Sequence, residues 1–197
     1  METSDRQIDA LKELINIGVG KGASILNAML NSHIVLKVPA LKILDIDQLK
    51  QEIGSFGDGK LSMVMLKFDG QFSGSAELMF PSETAMALVN TLVGEQPENM
   101  DFDTIRSGTL CEIGNVVLNG VMGSISNILS SHFKYSVPEY IEDTAEHIFS
   151  EKITDKAIKV LLAKTRFMIK ELNIDGDIVL FFEVGAFDKL IEIIENL

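Results

Sequence analysis

Glu13 and Asn16 stand three residues apart in the stretch IDALKELINIGVGKGASILNAML, and Glu112 and Asn115 stand three apart in CEIGNVVLNGVMGSISNIL. An asparagine carboxamide is uncharged and both donates and accepts hydrogen bonds, so it can orient a water beside an anion without repelling that anion. A glutamate is a poor neighbour for an anion and a good clamp for a cation. Both stretches carry the apolar rhythm of a long helix, and residues three apart on a helix share a face.

The two pairs are related to each other. The helical stretches align without gaps at an offset of 99, and each Asn is followed 23 positions later by a proline, Pro39 and Pro138. With residue frequencies near ~5%, one such Glu-Asn-Pro spacing arises by chance in roughly one or two chains in a hundred. Two at equivalent places are much harder to obtain. In the first helix Leu11, Ile15, Gly18, Gly22, Leu26 and Met29 form the apolar sector, and Asp9, Glu13, Asn16, Gly20 and Asn27 lie opposite. In the second, Leu110, Val117, Val121 and Ile128 mark the core side, and Gly108, Glu112, Asn115 and Asn119 lie opposite.

A lone Glu-x-x-Asn is ordinarily a solvated polar face. Recurrence argues against that here, as does the poor helix propensity of asparagine, whose amide competes for backbone hydrogen bonds. Gly18, Gly22, Gly114 and Gly123 are expected to let another element approach closely. Gly20 and Gly108, on the polar side, leave room for a partner. GVGKG lacks the spacing and the Lys-Ser/Thr ending of a phosphate loop, and it lies inside a helix. Pro39 and Pro138 mark an edge or a break in extended segments, because proline cannot donate to a ladder.

The elements that must position these residues repeat in the same order. The first half reads as a helix over about 7–31, a strand near 33–44, a short acidic helix DIDQLKQEI, strands at 60–68 and 72–80 joined through DGQ, and the helix PSETAMALVNTLVG. EQPENMD is a polar linker. The second half reads as a helix over about 103–131, the extended FKYSVPEYI, a short helix near 143–150, strands at about 157–171 and 177–184 turned by NIDGD, and the helix AFDKLIEIIENL. Hairpins force antiparallel neighbours. The expected fold is therefore α/β with pseudo-twofold symmetry, two long helices side by side packed with a largely antiparallel sheet. It forms a single domain of two repeats, about 1–98 and 99–197.

Composition narrows the function. With 197 residues and 46% hydrophobic content the chain can fill a core. A net charge of −12 opposes nucleic acid and anionic lipid and suits a basic partner. No apolar run is long enough for a transmembrane helix, and METSDRQID lacks a basic region followed by an apolar one, so the cytoplasm is the expected location. The single Cys111 allows neither an internal disulfide nor a cysteine zinc site. His33, His132 and His147 have no metal spacing, and Asp45 and Asp47 read as the start of a short helix. An autonomous triad or metal hydrolase is rejected, and nothing nominates a polar pocket for a small-molecule sensor.

Glu-x-x-Asn-x22-Pro, preceded four residues earlier by Asp or Ser, resembles the signature of the CheC/CheX/FliY family of chemotaxis proteins. Asp9, Glu13, Asn16 and Pro39 match it fully, and Glu112, Asn115 and Pro138 match it with Gly108 at the leading position. Two motifs in one chain resemble the CheC branch more than CheX, which carries one motif and dimerises, and the added C-terminal domain of FliY is not expected. The resemblance implies a CheC-like fold and dephosphorylation of the phospho-aspartate of a CheY-like response regulator. Asn16 and Asn115 would position the hydrolytic water, and Glu13 and Glu112 would dock on the receiver's lysine. It implies no cofactor of the chain's own, with Mg²⁺ supplied by the receiver, and a second partner in the receptor deamidase CheD. The internal repeat predicts a monomer. The alternative is a non-catalytic module that sequesters phosphorylated receiver or regulates CheD. Retention of both asparagines favours catalysis, because docking needs only Glu and shape.

Overall fold

The computed structural model describes residues 4–30, 33–55, 59–70, 73–94, 101–150, 158–169 and 172–195. Residues 95–100 of the segment EQPENMD, read as a linker, lie outside them, as does Gln71 of the DGQ turn, while the last residue of EQPENMD, Asp101, belongs to the start of the next helix. The order is α1 (Asp5–Leu30), β1 (Ile34–Leu44), α2 (Ile46–Ser55), β2 (Lys60–Asp69), β3 (Gly74–Pro81), α3 (Ser82–Val93), α4 (Phe102–Ile128), β4 (Lys134–Tyr135), β5 (Glu139–Thr144), α5 (Ala145–Phe149), β6 (Ile158–Ile169), β7 (Leu172–Glu183) and α6 (Val184–Glu195).

Local chemistry sets several of the boundaries. Asp45 Oδ1 accepts the Gln48 N–H at 2.8 Å while the Asp45 N–H donates to Gln48 Oε1 at 2.9 Å, a reciprocal cap that starts α2. Asp101 accepts the Asp103 N–H and starts α4. Gly94 ends α3 at φ 76°, a conformation that favours glycine.

All strands form one seven-stranded sheet in the order β1-β6-β7-β3-β2-β4, with β5 also on β2, and every pairing is antiparallel. β1 pairs with the second half's hairpin, β4 and β5 with the first half's, and β3 meets β7 at the centre. Exchanging the halves therefore maps the sheet onto itself. One face carries α1, α3, α4 and α6 over a core that includes Leu66, Phe80, Phe167 and Leu180. The other carries α2 and α5 over Met63, Met79, Phe149 and Val179. Because both faces are covered, Leu61 to Leu66 of β2 are all buried and read as a continuous apolar run.

The hairpin β6–β7 differs from the sequence expectation. NIDGD does not turn the chain: it lies within β7, whose Leu172 already pairs with Ile169 of β6. Asp175 instead lies within β7, opposite Arg166, whose Nε donates to it at 2.6 Å. A Cβ on Gly176 would lie 2.6 Å from the Phe80 ring, so this glycine accommodates a core aromatic and makes no turn.

α1 and α4 pack backbone to backbone. A Cβ on Gly18 would sit 2.5 Å from Val121 Cα, and one on Gly22 would sit 3.0 Å from Val117 Cα. As the first helix advances from 18 to 22 the second retreats from 121 to 117, so they run antiparallel. A Cβ on Gly114 would meet the Val64 side chain of β2 at 2.5 Å, which seats α4 on the sheet. Gly123 has nothing within 4 Å and so mediates no close approach, and Met29 is exposed because the apolar sector of α1 loses its cover at the last turn. Gly20 and Gly108 are open, as expected.

These contacts separate two glycines of one helix. Gly18→Ala should destabilise by about 1–3 kcal/mol, since its methyl meets backbone atoms that cannot rotate away. Gly20→Ala should instead stabilise by up to ~1 kcal/mol through helix propensity. Urea unfolding of both variants reads the difference in sign.

Candidate functional site

Each Glu/Asn pair lies on the outward side of its helix. Glu13 and Glu112 are exposed, and Asn16 and Asn115 are half-buried. Antiparallel packing about the Gly18–Gly22 contact puts the two asparagines on one helical layer, about 12 Å apart along the axes at 1.5 Å per residue. No Asn16–Asn115 hydrogen bond joins the two sites. Asp9 and Gly108, four residues before each Glu, are both exposed.

The carboxamides are held by different means. In the first half the β1–β6 register shifts between Lys37 and Ala40, around Pro39. Proline has no N–H and holds the preceding residue extended. The Val38 N–H, released from the ladder at this irregularity, donates to Asn16 Oδ1 at 3.0 Å. Asn16 Nδ2 donates back to the Lys12 carbonyl at 2.9 Å, and Lys12 Nζ donates to the Pro39 carbonyl at 2.8 Å. The Asn-to-Pro spacing is thus the span from a helix side chain to the strand irregularity that it satisfies.

The second half carries no such clamp. Its counterpart of Lys12 is Cys111, and the segment around Pro138 stays with β2: the Ser136 N–H donates to the Lys67 carbonyl at 2.9 Å, and Ser136 Oγ accepts the Lys67 N–H at 3.1 Å. Val137, the counterpart of Val38, is 81% exposed. Asn115 Oδ1 accepts instead from Asn119 Nδ2 at 2.7 Å, one turn along α4. Asn115 faces an open groove of about 600 Å³ lined by Lys21 and Ile25 of α1, by Asn119, and by His132 and Tyr135. Lys21 brings a positive charge to the groove of a chain with net charge −12.

Other chemistries find little support nearby. Burial, with the Glu112 charge added, pushes the Cys111 thiol up, away from the thiolate form that attacks. His33 is exposed, and His147 pairs with Asp143 at 2.5 Å beside the cap of α5. Among the described residues no group of three His, Cys, Asp or Glu is placed to hold a metal. No described helix is long and apolar enough to cross a membrane.

Sequence reading named Glu13, Asn16, Glu112 and Asn115, which the structure places on the outward side of α1 and α4, and did not name Lys12, Lys21 or Tyr135 around them. It named Asn119 only as part of the polar face. The available signal was the break in the repeat, where Lys12 aligns with Cys111 and Gly20 with Asn119.

The fold is thus an antiparallel sheet backed by two antiparallel helices that carry paired Glu and Asn on their outer side. Residues 62–162, which contain Glu112, Asn115 and Pro138, match the chemotaxis phosphatase CheX family, and the chain belongs to that family. It is similar to the CheY-P phosphatase CheC of Bacillus subtilis (strain 168), at 28% identity over 154 residues, 77% of this chain and 73% of that protein. Its fold is that of FliY from Thermotoga maritima, with a TM-score of 0.77 at 17% identity, covering 100% of this chain and 99% of the other. It is also that of CheX in the CheX–CheY–BeF3–Mg²⁺ complex from Borrelia burgdorferi, with a TM-score of 0.54 at 19% identity, covering 87% and 99%.

The two clamps differ in what they contribute to stability. Asn16→Ala leaves the N–H of Val38, a residue 2% exposed, without its acceptor and should cost about 1–3 kcal/mol. Asn115→Ala should stay within about 0.5 kcal/mol of the parent, because its partner Asn119 can turn to water. Equilibrium unfolding in urea measures both.

Proposed function

We propose that this chain hydrolyses the phospho-aspartate of a CheY-like response regulator, with Asn16 and Asn115 positioning the attacking water and Glu13 and Glu112 docking on the receiver. What carries the reading is a neutral carboxamide held on a helix, on the outward surface, with no metal-holding cluster among the described residues and with the neighbouring Cys111 thiol pushed away from its reactive thiolate form. The CheX family membership and the likeness to a CheY-P phosphatase support it.

The reaction requires little covalent participation. A water oxygen bonds to phosphorus as the bond from phosphorus to the aspartyl oxygen breaks, yielding carboxylate and inorganic phosphate. Such transfers are accelerated mainly by positioning and electrostatics. In this reading the receiver supplies the Mg²⁺ that neutralises the phosphoryl oxygens, and the chain needs no cofactor of its own. A carboxamide can hold the water without adding negative charge, whereas a carboxylate there would repel the phosphoryl group. Glu13 and Glu112 lie one turn away and exposed, where a carboxylate can meet a lysine.

Of the two sites, Asn115 is the better disposed. Its Nδ2 has no hydrogen-bond partner among the described residues and it borders the open groove, whereas both ends of the Asn16 amide are engaged. With both helices in one chain, the reading is of a monomer. Sequestration of phosphorylated receiver, or regulation of the deamidase CheD, would need the glutamates and the surface but no ordered amide.

Phosphate release from acetyl-phosphate-charged CheY tests the reading. Asn16→Ala and Asn115→Ala should each leave part of the activity, with the larger loss from Asn115→Ala. The double variant should fall to the receiver's own rate, since loss of one preorganised group costs on the order of 10²-fold at its site. Glu13→Lys and Glu112→Lys should weaken receiver binding by like charge. A folded double asparagine variant with full activity would overturn it.

A further inference from the structure

The geometry points to Asn119 as a positioning residue that sets which way the Asn115 carboxamide faces, an assignment that rests on the phosphatase reading above. An asparagine amide has two orientations related by a half-turn about its last torsion, and they exchange a donor for an acceptor at each end. A water-positioning amide that samples both presents the wrong group part of the time. In the first half this is prevented by the backbone: the Val38 N–H holds Asn16 Oδ1 at 3.0 Å. That donor exists because the strand is irregular at Pro39 and because Lys12 ties the Pro39 carbonyl to the helix.

The second half has lost both parts of this clamp. Cys111 replaces the lysine, and Val137, in the position of Val38, is turned to solvent. Asn119 takes over the task. Its Nδ2 donates to Asn115 Oδ1 at 2.7 Å, which leaves the Asn115 Nδ2 end as the donor that a bound water would meet, and Asn115 borders the groove. The residue at the same position in the first half is Gly20, with open space around it, where the backbone makes a side-chain donor unnecessary. The same oxygen, Oδ1, is therefore held in both sites by unrelated donors. Asparagine is a poor helix former, so its place at 119 in the middle of α4 is not explained by helix stability.

The test uses the full chain and acetyl-phosphate-charged CheY, with Asn16→Ala present so that only the second site turns over. Adding Asn119→Ala should lower kcat about two- to tenfold, the worth of one neutral hydrogen bond, with KM nearly unchanged. Asn119→Gln, which keeps a carboxamide donor four residues on, should recover most of the loss. In an Asn115→Ala background, where only the first site turns over, Asn119→Ala should have no effect, a result that a general role in folding would not produce. Thermal unfolding of each variant confirms that it is folded. Unchanged kcat on adding Asn119→Ala, a loss confined to KM, or failure of Gln to recover would overturn the assignment. Full activity in the Asn16→Ala/Asn115→Ala variant would instead overturn the phosphatase reading on which it depends.

Discussion

Gly18 and Gly22 meet Val121 and Val117 with no side chain of their own between the helices. At that distance the backbones themselves make the dispersion contacts, and an added methyl has nowhere to go. The arrangement is reciprocal, since exchanging the two halves turns the Gly18–Val121 contact into the Gly22–Val117 contact. Gly120 joins the contact, since a Cβ there would lie 2.5 Å from the Gly18 carbonyl oxygen. Tight antiparallel contact then leaves each helix one free side, and both Glu/Asn pairs occupy it.

The sheet contributes through a defect. β1 is an edge strand that pairs only with β6, and its register shifts where Pro39 interrupts the ladder. Edge strands tolerate proline because one row of backbone groups is already outside the ladder. The freed Val38 N–H is then satisfied by a helix side chain, as buried backbone donors must be. Fold stability and orientation of the amide are served by one hydrogen bond. At the other edge the chain takes a different course: β4 and β5 both pair with β2, and the intervening residues stay with that strand through Ser136 and Lys67. The pseudo-symmetry of the fold therefore does not extend to the hydrogen bonds at the two sites.

Charge is arranged on the same principle of division. On each helix the neutral amide is half-buried and the exposed carboxylate stands one helical turn away. Lys21, from α1, borders the groove of α4, so the first half of the chain contributes to the second half's site. The helix pair is thus more than a scaffold that carries two independent copies of a motif.

Much of this was legible in the residue string, and the reason is periodicity. The apolar sectors of α1 and α4, the alternation of strands and the exposed placement of Glu13 and Glu112 follow from spacings of a few residues that geometry imposes locally. The order of elements and the relation between the two halves followed from an offset that needs no structure to detect. NIDGD was misread because a turn-like composition inside a strand is overruled when a cross-strand ion pair and a core aromatic claim its residues, here Arg166 and Phe80. What only the tertiary structure decided is the state of each carboxamide. Asn16 depends on a donor 22 positions away, freed by a ladder irregularity that involves a strand from the other half of the chain. Asn119 becomes a donor of consequence only because the segment around Pro138 remains with β2 and brings no backbone N–H to Asn115. Spacing determines which side chains share a face, but hydrogen bonds are decided by which groups have lost their other partners, and that is settled when distant strands pair.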